Sequence, residues 1–285
     1  MRAAAILGPG SVSKAVVSFQ RATGAEWTSL IEQADVAVIF GGDGTVHRHL
    51  SELVVLAIPV LVVPCGSGND FARALGIRRV RDAIAAWRKY EADGSNLRTI
   101  DLGVICGLNG GDTPAPHYFC CVAGVGIDGN IAARANRLPA WLRARGGYAI
   151  CAPREFVRFA PLPLRVSVNG GSGQTKPTIL AAVANAPVFG GGMKIAPRAK
   201  LDDGKLDLCL VRAMNVLKLF CLFPTVYFGR HLSFEEVEYA QTDGVRIETE
   251  YPFAVYADGE YVCNTPVSFS VARAALQVIS SRDPL

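Results

Sequence analysis

The chain has 285 residues, enough for two domains that each bury a core. Half of them are apolar and 19% are charged, which excludes a disordered chain, and a net charge of +4 gives no ground to expect a nucleic-acid partner. From the N-terminus, Ala3–Leu7 and Val36–Phe40 are short apolar runs that end in glycine and predict strands. Val46–Leu56 has helical spacing, Pro59–Val63 predicts a strand, and Asp70–Leu75 and Val80–Lys89 predict helices. Strand–turn–helix alternation of this kind predicts an α/β unit over residues 1–100 with a parallel sheet.

After Asp101 the pattern changes. Tyr118–Val122, Leu164–Asn169, Ile179–Ala184, Leu206–Val211, Gly244–Glu248, Phe253–Ala257 and Val267–Val271 are β-rich runs parted by Gly, Pro and Asn turns. They predict an all-β sandwich or barrel over 101–272, with 273–285 returning to the first domain. Helical stretches are expected around Ile131–Arg145 and Asn215–Phe228. The longest apolar run, Val54–Cys65, is broken by Pro59 and Pro64 and is short of the roughly 20 residues a membrane span needs. Ala3–Leu7 is too short for a secretory apolar segment of about 7–15 residues. The eight cysteines lack CxxC spacing, and most sit in apolar runs as buried thiols do, which predicts a reducing cytoplasm.

Two glycine turns carry the chemistry. Gly41-Gly42-Asp43-Gly44-Thr45 follows a predicted strand and precedes a helix, where bare backbone and helix N–H groups can meet phosphate oxygens. Asp43 would repel a phosphate unless a cation lay between them. Alone, this is equally an ordinary tight turn. Pro64-Cys65-Gly66-Ser67-Gly68-Asn69-Asp70 repeats the same logic at the next strand, although Asn69 or Asp70 also fits as a helix N-cap. No GxxxxGK[ST] loop occurs. Gly124-Val125-Gly126-Ile127-Asp128-Gly129 matches a dinucleotide fingerprint, but the acid expected about 20 residues later is absent, so no such site is expected.

Further marks follow in order: Asp101-Leu102-Gly103, Asn185-Ala186-Pro187 with Gly190-Gly191-Gly192, the run Ala196 to Asp207, and Asp258-Gly259-Glu260. With the two glycine turns, this ordered set resembles the diacylglycerol kinase catalytic-domain family, especially its bacterial lipid kinase branch. The resemblance implies an α/β nucleotide domain like that of NAD kinases and phosphofructokinases, followed by a β-sandwich domain. It implies an ATP- and Mg2+-dependent kinase acting on a hydroxyl of a membrane lipid. In that reading Gly41, Gly42, Asp43, Gly44, Thr45, Gly66, Ser67, Gly68, Asn69 and Asp70 hold the phosphates, and Asp43 and Asp70 place magnesium. Glu260 matches the catalytic base, and Asp203, with the carbonyls of Lys200 and Lys205, matches a second, structural metal site.

The sequence departs from that family in three places. Gly8-Pro9-Gly10-Ser11 replaces the usual Asn-Pro-x-Ser-Gly turn, only 40 residues precede the first glycine turn, and His47-Arg48 stands where relatives have Asn-Glu. A kinase of a soluble hydroxyl substrate and a non-catalytic lipid-binding relative are the alternatives, and a homodimer stays open. Between residues 130 and 170, seven arginines meet one acid, Glu155, an excess above the net charge of the whole chain. Peripheral contact with an anionic membrane is therefore expected, with Arg134, Arg137, Trp141, Arg143 and Arg145 in the docking surface.

Overall fold

A computed structural model describes residues 1–9, 13–108, 116–143 and 146–281. The first lobe contains β1 (Arg2–Leu7), α1 (Ser13–Thr23), β2 (Glu26–Thr28), β3 (Val36–Gly41), α2 (Asp43–Leu56), β4 (Val60–Pro64), α3 (Asp70–Ala74) and α4 (Val80–Asp93). Its strands are parallel in the order β2-β1-β3-β4. β3 is buried along its whole length, which explains its unbroken apolar run, because helices cover both faces of a parallel sheet. Phe19 of α1 meets Phe40 and Trp87 edge to face, closing the layer between α1, β3 and α4.

The second lobe begins with β5 (Leu97–Gly107), β6 (His117–Phe119), β7 (Val122–Gly126), α5 (Ile127–Asn136), α6 (Ala140–Arg143) and α7 (Gly147–Arg158). It continues through β8 (Leu162–Val168), β9 (Gln174–Ala184), β10 (Leu206–Arg212), α8 (Val216–Val226), β11 (Val237–Thr242), β12 (Gly244–Glu248), β13 (Ala254–Ala257), β14 (Glu260–Asn264) and β15 (Val267–Ile279). Antiparallel pairing runs β14-β13-β7-β9-β8-β12-β15, with β10 between β9 and β11. Inward residues of these strands, among them Phe119, Val183, Leu208, Ile247 and Phe269, form a separate core inside the sandwich. The α/β lobe followed by a β-sandwich matches the predicted fold class.

β15 belongs to both lobes. It pairs antiparallel with β5 and β12, then passes an irregularity between Ala272 and Leu276 and meets β4 in parallel at Val278↔Val60. Beyond it, Ser280 exchanges hydrogen bonds with Asn96 and Leu75. The expected boundary at residues 100–101 falls inside β5, which is one continuous strand.

Several expectations are corrected. The single helix Ile131–Arg145 is two, α5 and α6, because Pro139 lacks an N–H and crowds the preceding turn. The single strand Tyr118–Val122 is split at Cys120 and Cys121, whose N–H groups bond the Asp258 carboxylate instead of a neighbouring strand. The helix expected from Val46 begins at Asp43, because Gly42 alone makes the break and an acid at the first helical position suits the helix dipole. α8 starts on Asn215, whose side chain accepts the Lys218 N–H at 2.8 Å as an N-cap should.

Candidate active site

β3 and β4 are adjacent and in register, Gly41 opposite Pro64, so both glycine turns leave the sheet at the same edge. Open α/β sheets bind ligands at this edge, beyond the carboxyl ends of the strands. A Cβ on Gly66 would lie 2.4 Å from the Gly42 Cα, and one on Gly42 would lie 2.8 Å from the Gly66 Cα. The two backbones therefore touch, and no side chain fits at either position.

Asn69 has positive φ and folds the second turn. Its Oδ1 accepts the Gly66 N–H at 2.8 Å and its Nδ2 donates to the Gly66 carbonyl at 2.7 Å. It shapes the site and is not among the residues that line the cleft. Thr45 is buried and wedged against Gly8 and Gly41, whose missing side chains leave room for it.

Asp43 opens α2 and Asp70 opens α3, and the two carboxylates flank Gly68. Asp43 Oδ1 accepts the Phe71 N–H at 2.9 Å, and Asp70 Oδ2 accepts the Gly191 N–H at 2.8 Å. Asp70 Oδ1 is buried with no partner. Burial, then the charge of Asp43, pushes the Asp70 carboxyl up to about 7, and burial raises Asp43 as well. Two raised carboxyls side by side call for a cation or a shared proton.

From the second lobe, Glu260 opens β14 after the turn Asp258-Gly259. Its Oε1 occupies the space a Cβ on Gly44 would need, 2.7 Å away. The base candidate therefore lies against the N-terminus of the helix that carries Asp43. The cleft has a volume of 620 Å³ and is lined by both glycine turns, Asp43, Glu260 and the segment Gly190–Gly191. Further lining residues that sequence reasoning missed include Arg48, Arg73, Asp128 and Tyr148. Arg48 and Arg73 add positive charge suited to phosphates. Asp128 lay in plain view within the dinucleotide-like run. Its carboxylate packs over Gly124, where a Cβ would come within 2.1 Å of Oδ2, so that glycine makes room for Asp128 rather than for a pyrophosphate.

Asp203 is not brought to this cleft. It lies in an exposed turn, its Oδ1 accepting the Lys205 N–H and its Oδ2 accepting from Gln241 Nε2, each at 3.1 Å. Lys205 Nζ pairs with Asp243 at 3.0 Å. The turn is held from below by buried Asp101, whose Oδ2 accepts the Gly204 N–H at 2.7 Å and whose Oδ1 accepts the Ala274 N–H at 2.8 Å. Of the expected docking arginines, Arg134 is ion-paired with buried Glu155 at 2.8 Å and Arg137 is exposed, while the Arg143 side chain and Arg145 lie outside the described residues.

Comparison with known proteins identifies the family of the two lobes. Residues 10–105 match the diacylglycerol kinase catalytic domain, and residues 121–280 match the YegS C-terminal NAD kinase β-sandwich-like domain. A diacylglycerol kinase of Mycobacterium tuberculosis is 36% identical over 248 residues, covering 87% of this chain and 77% of that protein. One of Bacillus subtilis is 27% identical over 256 residues, covering 87% and 78%. A crystal structure of a diacylglycerol kinase from Bacillus anthracis superposes with a TM-score of 0.67 at 20% identity, covering 98% of this chain and 96% of that one, and shares the fold. The chain belongs to the diacylglycerol kinase catalytic-domain family and is a lipid kinase, a phosphotransferase.

Proposed function

We propose that the protein transfers the γ-phosphoryl group of ATP to a hydroxyl of a diacylglycerol-like membrane lipid. The observation that carries this reading is the convergence of Asp43 and Asp70 about Gly68, with Glu260 against Gly44, the residue next to Asp43. The two turns cradle the phosphates through backbone N–H groups, and Arg48 and Arg73 offset their charge. The orphaned Asp70 Oδ1 and the two raised carboxyls fit a divalent cation, so Asp43 and Asp70 would hold magnesium. Magnesium, when bound, neutralises charge on the phosphates and on the transferred group. Glu260 accepts the proton of the lipid hydroxyl as that oxygen bonds to phosphorus and the bond to the departing ADP oxygen breaks. At Asp203 both carboxylate oxygens already have donors from the chain, so no unsatisfied atom there favours the second metal.

The cleft also has an apolar side. Tyr148 and Phe189, with ring centroids 5.4 Å apart, divide it from a 50 Å³ cavity lined by Phe156, Leu219, Leu222 and Phe223 on the inner faces of α7 and α8. The outer faces of the same helices are apolar too. Val157 is 68% exposed and Leu217 79%, with Ile150 and Phe220 beside them and Trp141 nearby on α6. Arg154 and Arg158 stand on the same exposed face of α7. An apolar surface with basic neighbours, over an apolar cavity that adjoins the phosphate cleft, suits docking on an anionic leaflet. No helix among the described residues is long and apolar enough to span one.

The test is to incubate the purified protein with γ-labelled ATP, magnesium, vesicles containing diacylglycerol, and a mixture of water-soluble polyols. Label extracted with the lipid supports the reading. Label confined to a soluble acceptor would replace it with a soluble-substrate kinase. An ATP-dependent rise in Tm without any labelled product would indicate a non-catalytic binder.

A further inference from the structure

One buried pair beside the cleft, His47 with Asp258, takes no part in the transfer described above. Asp258 and Gly259 join β13 to β14 in a tight turn in which both residues have positive φ, +50° and +86°. The Asp258 carboxylate is fully engaged. Oδ1 accepts the N–H of Cys121 at 2.8 Å and of Val122 at 3.2 Å, while Oδ2 accepts the N–H of Cys120 at 2.9 Å and its thiol at 3.4 Å. Those donors come from the second lobe. A further contact reaches Oδ2 from the first lobe, His47 Nδ1 at 3.1 Å. The His47 side chain is 8% exposed and that of Asp258 is 0% exposed.

The placement of His47 follows from helix periodicity. It sits three residues after Gly44, on the same face of α2. Gly44 is where Glu260 rests, so α2 meets the hairpin twice, Gly44 against Glu260 and His47 against Asp258. The helix that carries Asp43 is thus tied to the turn that carries Glu260. Burial alone would lower the imidazole pKa, but the hydrogen bond and charge of Asp258, joined by the charge of Glu260, leave it raised. Arg48 on the same helix opposes this, and the Cys120 thiol, pushed up to about 12, adds no charge.

The geometry points to His47 as a positioning residue for Glu260. Its imidazole clamps the base-bearing hairpin to the metal-bearing helix without touching either substrate. The inference rests on the assignment of Glu260 as base.

The experiment uses three full-length proteins: wild type, His47→Ala and His47→Asn. Asparagine keeps an amide donor near the position of Nδ1 but carries no charge. For each, kcat and KM for ATP are measured from pH 5 to 9, together with Tm. His47→Ala is expected to lose about 10- to 100-fold in kcat, as displacement of a reacting group by about 1 Å does, with KM for ATP changed less than about threefold. His47→Asn should recover most of kcat at pH 8, because its amide can still donate to the Asp258 carboxylate. Three matching profiles would overturn the inference. So would a loss in His47→Ala that follows Tm and stays unrescued in His47→Asn. A fully active Glu260→Gln protein would instead remove the base assignment, and the inference with it.

Discussion

Replacing Asp128 with asparagine should stabilise the ligand-free protein, and by more at pH 8 than at pH 5. The Asp128 side chain is buried, its Oδ1 has no partner, and burial moves the carboxyl from its ordinary 3.8 up to about 7. Between those two values the folded protein keeps a proton that the unfolded chain releases. Stability therefore falls as pH rises from about 4 to about 7 and is flat on either side. Each pKa unit is worth about 1.4 kcal/mol, so about three units set an upper limit on the order of 4 kcal/mol, reduced by any water that enters the cleft. Asparagine has the same shape and no charge, so this slope should vanish. Urea unfolding at pH 5, 6, 7 and 8 measures it as the difference between variant and wild type. Asp70, also raised to about 7, contributes equally to both proteins and cancels. A difference that does not grow with pH, or a variant less stable than wild type at pH 8, would refute the reasoning.

Asp43→Ala should reduce kcat by about 10²–10³ while the circular dichroism spectrum and Tm stay near wild type, because its oxygens face the cleft and one backbone N–H. Retention of a tenth of the activity would rule out a metal-placing role. Glu260→Gln should keep ATP binding, read by thermal shift, and lose about 10²–10⁴ in kcat. A Val157→Asp/Leu217→Asp protein should sediment less with anionic vesicles while still phosphorylating a detergent-dispersed lipid. Equal sedimentation of the two proteins would exclude the α7–α8 face as the docking surface.

Much of the first lobe was legible because its signals are local. Val36–Phe40 is apolar throughout and ends at glycine, and both glycine turns fall where strands end. α7 was not legible: it starts at Gly147 after Gly146 and contains Pro153, signals that read as loop, and it persists because Cys151, Ala152 and Phe156 bury its inner face. β14 was missed because five partly exposed residues after a turn carry little apolar pattern. The two glycine turns and Glu260 could be named from their motifs, whereas Asp128, Tyr148 and His47 gain meaning from contacts across the fold. The contact between His47 and Asp258 joins residues 211 positions apart, and no spacing rule reaches that far.

The dual membership of β15 bears on how the chain folds during synthesis. The glycine turns, Asp43 and Asp70 all leave the ribosome early, yet the edge of β4 is covered by Val278, and Leu75 and Asn96 find partners at Ser280. At translation rates of about 5–20 residues per second, roughly ten to forty seconds separate the emergence of the two parts. During that interval the apolar edge Val60–Val63 lacks its last neighbour, and an unpaired edge invites pairing with another chain. The order of synthesis is therefore opposite to the order of completion. The first lobe is made first and closed last, and a chain cut short before Leu276 would keep both glycine turns but leave β4 open to aggregation.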